Sequence, residues 1–204
     1  MSQFKNSLND IDKVLDIEPR HFGALSGQAR IFIKLQEYEK AIEILNQGLD
    51  KNKENFSIQF QLGKLYFLEE DYNSAKNKFE KVIELDSDNY SAFYYLGKIA
   101  NINEDIERAK YYFEQALKYN PKYADVYIEL GDIYLNEDNV YKAISHYSSA
   151  VESNPEYPKA HFHLAKAFIE RGMKEAAISE LRETLHLSDS HKEAEELLEK
   201  LMEE

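Results

Sequence analysis

Residues 124–157 read ADVYIELGDIYLNEDNVYKAISHYSSAVESNPEY, and this stretch decides the fold. Its apolar residues stand three and four apart, first Tyr127, Leu130 and Tyr134, then Ala143, Ile144, Tyr147, Ala150 and Val151. That is a helical period on either side of a short polar break, Asn136–Glu137–Asp138–Asn139. Pro155 follows Asn154 and stops the second helix, since proline cannot continue it. The stretch reads as helix, tight turn, helix, stop.

The same columns recur along the chain. Ala41, Ala75, Ala109, Ala143 and Ala177 are spaced by 34 residues, as are the small residues Ala29, Gly63, Gly97, Gly131 and Ala165. A third column reads Leu45, Phe79, Phe113, Tyr147 and Leu181. The register runs unbroken over 22–191, giving five repeats at 22–55, 56–89, 90–123, 124–157 and 158–191. Glycine inside a helix costs about 1 kcal/mol relative to alanine, so three glycines in one column imply a packing reason. Position 8 of the first helix is expected to face position 20 of the second. Small side chains there let the axes approach to about 8 Å.

This pattern resembles the tetratricopeptide repeat, a helix–turn–helix unit whose signature falls at repeat positions 4, 7, 8, 11, 20, 24, 27 and 32. The match is fullest in 124–157, with Tyr127, Leu130, Gly131, Tyr134, Ala143, Tyr147, Ala150 and Pro155. It is weakest in the first repeat, where Lys53 holds the proline column. The resemblance implies an all-α, right-handed superhelical solenoid of five antiparallel helix pairs. Residues 1–21, with Phe4, Leu8, Ile11, Leu15 and Pro19 in second-helix columns, predict a partial repeat, so the sequence opens mid-repeat. Residues 192–204 carry the stripe Ala194, Leu197, Leu198 and Leu201 backed by charge, the pattern of a capping helix. The third repeat has Ala100 where a large aromatic is usual and is expected to be the loosest joint. The run Arg20–His21–Phe22–Gly23–Ala24–Leu25 resembles bacterial members of the family, which points to a prokaryotic source.

Composition excludes several classes of function. A net charge of −13 over 204 residues argues against nucleic acid and anionic membranes as partners. No apolar run approaches the length of a membrane span, and the charged N-terminal stretch is not a secretory signal, so a cytoplasmic location is expected. Without cysteine there are no disulfides and no thiolate zinc sites. No catalytic motif is present, so the chain reads as a non-enzyme with no metal or cofactor. His161 and His163 are two apart and diverge on a helix; His161 occupies position 4, where an aromatic ring packs. Asp86–Ser87–Asp88 lacks the glycine and closing glutamate of a calcium loop and reads as a turn or cap. Gly23 and Gly27 form a G-x-x-x-G in an amphipathic helix, not a membrane dimer signal.

The resemblance further implies that positions 2, 5, 9, 12 and 13 of each first helix face a concave groove. Position 9 then reads Arg30, Lys64, Lys98, Asp132 and Lys166, a basic ladder in an acidic protein. Positions 5 and 12 place Phe60, Phe67, Tyr94, Ile128 and Phe162 beside it as solvent-facing apolar residues. The expected function is a scaffold or adaptor that holds a peptide segment of a protein partner, acidic and apolar in character, over repeats one to three. Asp132, near Asp125 and Glu129, is expected to repel such a segment. The alternatives are self-association through the N-terminal edge, and service as the repeat arm of a longer polypeptide. Members that grip chaperone tails need lysine, asparagine and arginine at set positions. Ser26, Arg30, Gln61, Ser91 and Tyr95 stand there instead, so that carboxylate clamp is absent.

Overall fold

The structure is a computed structural model that describes residues 2–18, 21–49 and 54–203, with side chains from residue 7 onward apart from residue 22. Pro19, Arg20, Lys53 and the side chains of Phe4 and Phe22 therefore lie outside the described residues. The described residues form twelve helices and no strand: α1 (Ser2–Ile17), α2 (Phe22–Lys34), α3 (Tyr38–Leu49), α4 (Phe56–Leu68), α5 (Tyr72–Leu85), α6 (Tyr90–Ile102), α7 (Ile106–Tyr119), α8 (Ala124–Asn136), α9 (Val140–Ser153), α10 (Pro158–Glu170), α11 (Lys174–Leu187) and α12 (Lys192–Glu203). The fold class is all-α, as the helical period predicts.

One turn is built five times. Gln36, Glu70, Glu104, Asp138 and Gly172 all occupy repeat position 15 and all have φ between 57° and 68°. Each donates its N–H three residues back, and the next residue donates five residues back, as in Asp71 to the Tyr66 carbonyl at 2.9 Å and Asn139 to the Tyr134 carbonyl at 2.8 Å. These paired bonds satisfy the carbonyls that the first helix leaves open, with a left-handed residue at the bend. Position 16 then caps the second helix: Asp71, Asp105 and Asn139 accept from the N–H of Ser74, Arg108 and Lys142. A single residue closes one helix and opens the next.

The chain divides into two compact units, Met1–Ile99 and Ala100–Glu204, with the division inside α6 at Ala100. In the N-terminal unit α2 pairs with α3 and α4 with α5. Ala29, Ala41, Leu45, Ile58, Leu62 and Leu65 form a core there. In the C-terminal unit α8 pairs with α9 and α10 with α11, while α12 lies on α11. Ala194 and Leu201 of α12 close a core with Phe162, Ala165, Ala177 and Leu181.

The glycine column has an aromatic neighbour that the expectation did not include. A Cβ on Gly63 would stand 2.8 Å from the ring of Phe79, and one on Gly131 would stand 2.3 Å from the ring of Tyr147. Both rings are at position 24, so the glycine makes room for an aromatic ring. Where position 8 is alanine, at Ala29 and Ala165, position 24 is the slimmer Leu45 or Leu181. Helix spacing is thus held by matched pairs of side-chain volume, as close packing requires.

Candidate functional site

In the N-terminal unit two of the candidate cations, Lys64 and Lys98, rest on rings. An aromatic at position 5 and a lysine at position 9 are one helical turn apart and share a face. The Lys64 ammonium lies 6.0 Å from the centroid of Phe60, and that of Lys98 lies 5.6 Å from Tyr94 and 5.5 Å from Phe67. Each ring attracts the cation above it and orients the long side chain. Arg30, Lys34 and Lys64 have no acidic side chain within 4.0 Å among the described residues. A cleft of about 320 Å³ opens between α2 and α4, walled by Arg30, Lys34 and Lys64 and floored by Ile33, Leu65 and Leu68.

Phe60 and Phe67 are half-buried rather than free in a groove, because they join an aromatic cluster around Tyr95. Tyr95 stacks on Phe79 with centroids 4.8 Å apart and planes 7° apart, and Phe60 and Phe67 meet it edge-on. In the sequence Tyr95 shows only as a residue that breaks the clamp. At the other clamp positions Gln61 donates to the Ser26 hydroxyl at 3.0 Å, so the two side chains satisfy each other across α2 and α4.

The same columns are differently engaged in the C-terminal unit. Ile128 and Phe162 are buried, at 0% and 6% exposed, which corrects the expectation that they face solvent. His191 covers Phe162, with ring centroids 4.4 Å apart. Lys166 lies 5.5 Å over the Phe162 ring and 3.6 Å from the Glu193 carboxylate. Asp132 accepts from the Tyr147 hydroxyl at 2.6 Å and contacts the ring nitrogen Nδ1 of His163 at 3.0 Å. Burial alone would raise the Asp132 pKa, but the bonds to His163 and Tyr147 outweigh it and hold the carboxyl below the usual range. Burial first, then the bond to Asp132, pushes the Tyr147 phenol upward. Tyr157 behaves likewise, donating to Asp125 at 2.7 Å. Asp132 is therefore an internal fastening between α8, α9 and α10, not a free charge.

The position-4 residues carry a role that spacing did not reveal. Tyr127 donates to the Pro121 carbonyl at 3.2 Å, and His161 Nε2 meets the Pro155 carbonyl at 3.0 Å while Nδ1 meets Glu180 at 2.7 Å. Each reaches back to the proline that ends the preceding helix. Asp86 accepts from Asn89 at 2.9 Å, and Asn89 caps α6 through the N–H of Ala92, so this segment is a turn. Among the described residues no cluster of three His, Asp or Glu is placed to hold a metal ion. No helix of the described residues is long and apolar enough to cross a membrane.

Profiles of the tetratricopeptide repeat match residues 24–55, 56–89, 100–143 and 141–201. A TPR repeat-containing protein of Rhizobium etli is 43% identical over 51 residues, which is 22% of this chain and a quarter (25%) of that protein's length. Among solved structures, PilF of Pseudomonas aeruginosa superposes with a TM-score of 0.80 at 18% identity, over 98% of this chain and 90% of that one. YrrB, described as a TPR protein with an unusual peptide-binding site, gives 0.63 at 20% identity over 92% and 96% of the two chains. MamA of Desulfovibrio magneticus gives 0.66 at 23% identity over 80% and 92%. At these identities the likeness is one of fold.

Proposed function

The chain belongs to the tetratricopeptide repeat family, and from that premise we propose that it is a non-enzymatic scaffold whose first-helix face in the N-terminal unit holds a segment of a protein partner. One observation carries this reading: Arg30 and Lys64, in a protein of net charge −13, stand exposed without acidic partners beside exposed Leu68. Cations left unpaired next to apolar surface match a partner that is acidic and apolar. That YrrB is described as binding peptide supports such a use of the fold.

The test is capture of partners from the source lysate by the wild-type chain and by Lys64→Glu with Lys98→Glu. The double charge reversal is expected to remove the specific partner at physiological salt while leaving the helical circular dichroism unchanged. Undiminished capture sinks the reading. A second use is favoured by the N-terminal edge, where Ile17 is 83% exposed and Val14 40% exposed. On the same helix a cleft of about 570 Å³ opens toward α2, lined by Ser7, Ile11, Gly27 and Ile31 together with Arg30 and Lys34, which thus border both clefts. This edge pairs with a second copy in that reading, and a strict monomer by light scattering at high concentration removes it.

A further inference from the structure

We infer that the cleft between α2 and α4 is the anchor of the partner segment, and that it selects one large apolar side chain with a carboxylate at the second residue on either side. The inference rests on the proposed use of this face and names its ligand chemistry. The cleft holds about 320 Å³, and its floor is aliphatic: Ile33, Leu65 and Leu68, the last 54% exposed. That is the lower end of the range in which pockets bury a compact apolar group. No acidic side chain lines it. Its cations stand on opposite walls, with Arg30 and Lys34 one turn apart on α2 and Lys64 on α4. None of the three is neutralised by an acid of the described residues. Gln61, also in the lining, is tied to Ser26 and so presents a fixed amide rather than a mobile one.

The spacing follows from chain geometry. An extended segment crossing the two helices alternates its side chains, so if one residue points into the cleft, its immediate neighbours point away and the second neighbours point back down. Those second neighbours lie about 6.6 Å to each side of the anchor, at about 3.3 Å per residue. α2 and α4 are parted by the cleft rather than packed on one another, so each wall crest stands farther from the cleft's midline than the about 4–5 Å that a packed helix pair would give. Arginine and lysine side chains reach outward from there to meet a carboxylate. Acids at the adjacent positions would be directed into solvent instead.

The probe is a fluorescently labelled synthetic peptide with the core glutamate–serine–leucine–serine–glutamate, read by polarisation. Its isomer, serine–glutamate–leucine–glutamate–serine, has the same composition and charge. The first is expected to bind at least about threefold tighter than the isomer, and alanine in place of leucine should weaken it about tenfold. Raising salt to 1 M should erase the preference over the isomer but not the leucine dependence. Arg30→Glu with Lys34→Glu, or Leu68→Asp, should each weaken the peptide at least about fivefold. These residues are exposed, and unchanged circular dichroism certifies the fold. Equal binding of the two isomers, or no binding of the parent peptide by the wild-type chain, overturns the inference. Lysate capture separates the two readings. If Lys64→Glu with Lys98→Glu abolishes capture while Leu68→Asp and the α2 pair leave it intact, the face binds but this cleft is not its anchor. If all leave it intact, the face itself is wrong and the inference falls with it.

Discussion

The first helices of the two units share their columns and differ in what surrounds them. On α2 and α4, Arg30 and Lys64 stand without acids and flank an open cleft. On α8 and α10 the same columns hold Asp132, fastened to Tyr147 and His163, and Lys166, drawn to Glu193 over a buried Phe162. A repeat scaffold specifies where a side chain is presented, and the neighbours decide whether it is available. Function is therefore a property of the site and not of the column.

The largest expected effect tests the packing side of this contrast. Gly131→Ala places a methyl group 2.3 Å from the Tyr147 ring, which its hydroxyl bond to Asp132 holds in place. Overpacking of this kind costs about 1–3 kcal/mol and outweighs the helical gain of alanine. Urea denaturation should show it, and Gly63→Ala should cost less because the overlap is smaller, at 2.8 Å. Adding Tyr147→Leu to Gly131→Ala should recover most of the loss, by analogy with the Ala29–Leu45 pair.

Next is the direct comparison of ladder residues. Asp132→Ala deprives Tyr147 and His163 of their acceptor and should cost about 1 kcal/mol, discounted because the site is partly solvated. Lys64→Ala should leave the urea midpoint unchanged. Equal effects at the two positions would erase the distinction between a fastening and a free cation. The Asp132 pKa is lowered, so the stability it carries is complete above about pH 4 and is lost as pH falls through its folded value.

The turn offers a smaller test that spans both units. Gln36→Gly, Glu70→Gly and Glu104→Gly relieve a left-handed conformation and should each raise stability by about 0.5 kcal/mol, after the greater freedom of the unfolded chain is counted. Gly172→Ala should lose about 1 kcal/mol for the same reason. Thermal melts of the four variants check the sign.

The smallest effect is a pH dependence confined to the C-terminal unit. His146 stacks on Tyr134 at 5.2 Å, and burial, with Lys142 adding to it, pushes its pKa down. The folded chain therefore binds fewer protons at this ring than the unfolded chain, so the associated stability is present above about pH 6.5 and declines below it. His146→Gln should reduce the loss of stability seen by urea titration between pH 7.5 and 5.5. An unchanged loss would show that this ring does not contribute.

The helical period, the turns and the proline stops are legible because backbone preferences act over a few residues. Ala194 and Leu201 mark the buried stripe of α12 in the same way. The candidate site is legible only as columns. Arg30 and Lys64 stay open and Asp132 does not, because availability depends on partners such as Tyr147, His163 and Glu193 that lie 15 to 31 residues away or on another helix. Phe162 is covered by His191, just before α12, which no repeat column encodes. The partner of the glycine column had a signal in plain view: glycine goes with an aromatic at position 24 and alanine goes with leucine, within this one chain.

That pairing bears on how such a gene can change. Both members of each pair lie inside one 34-residue span, so duplicating or deleting a whole span transmits them together and leaves each pair matched. A crossover in the turn would separate them. Joining α10 to α9 sets Ala165 against the ring of Tyr147, and joining α8 to α11 leaves a void between Gly131 and Leu181. A break at the end of a repeat thus keeps the pairs matched and a break in its middle does not, which makes the helix pair the smallest span that carries its own fit.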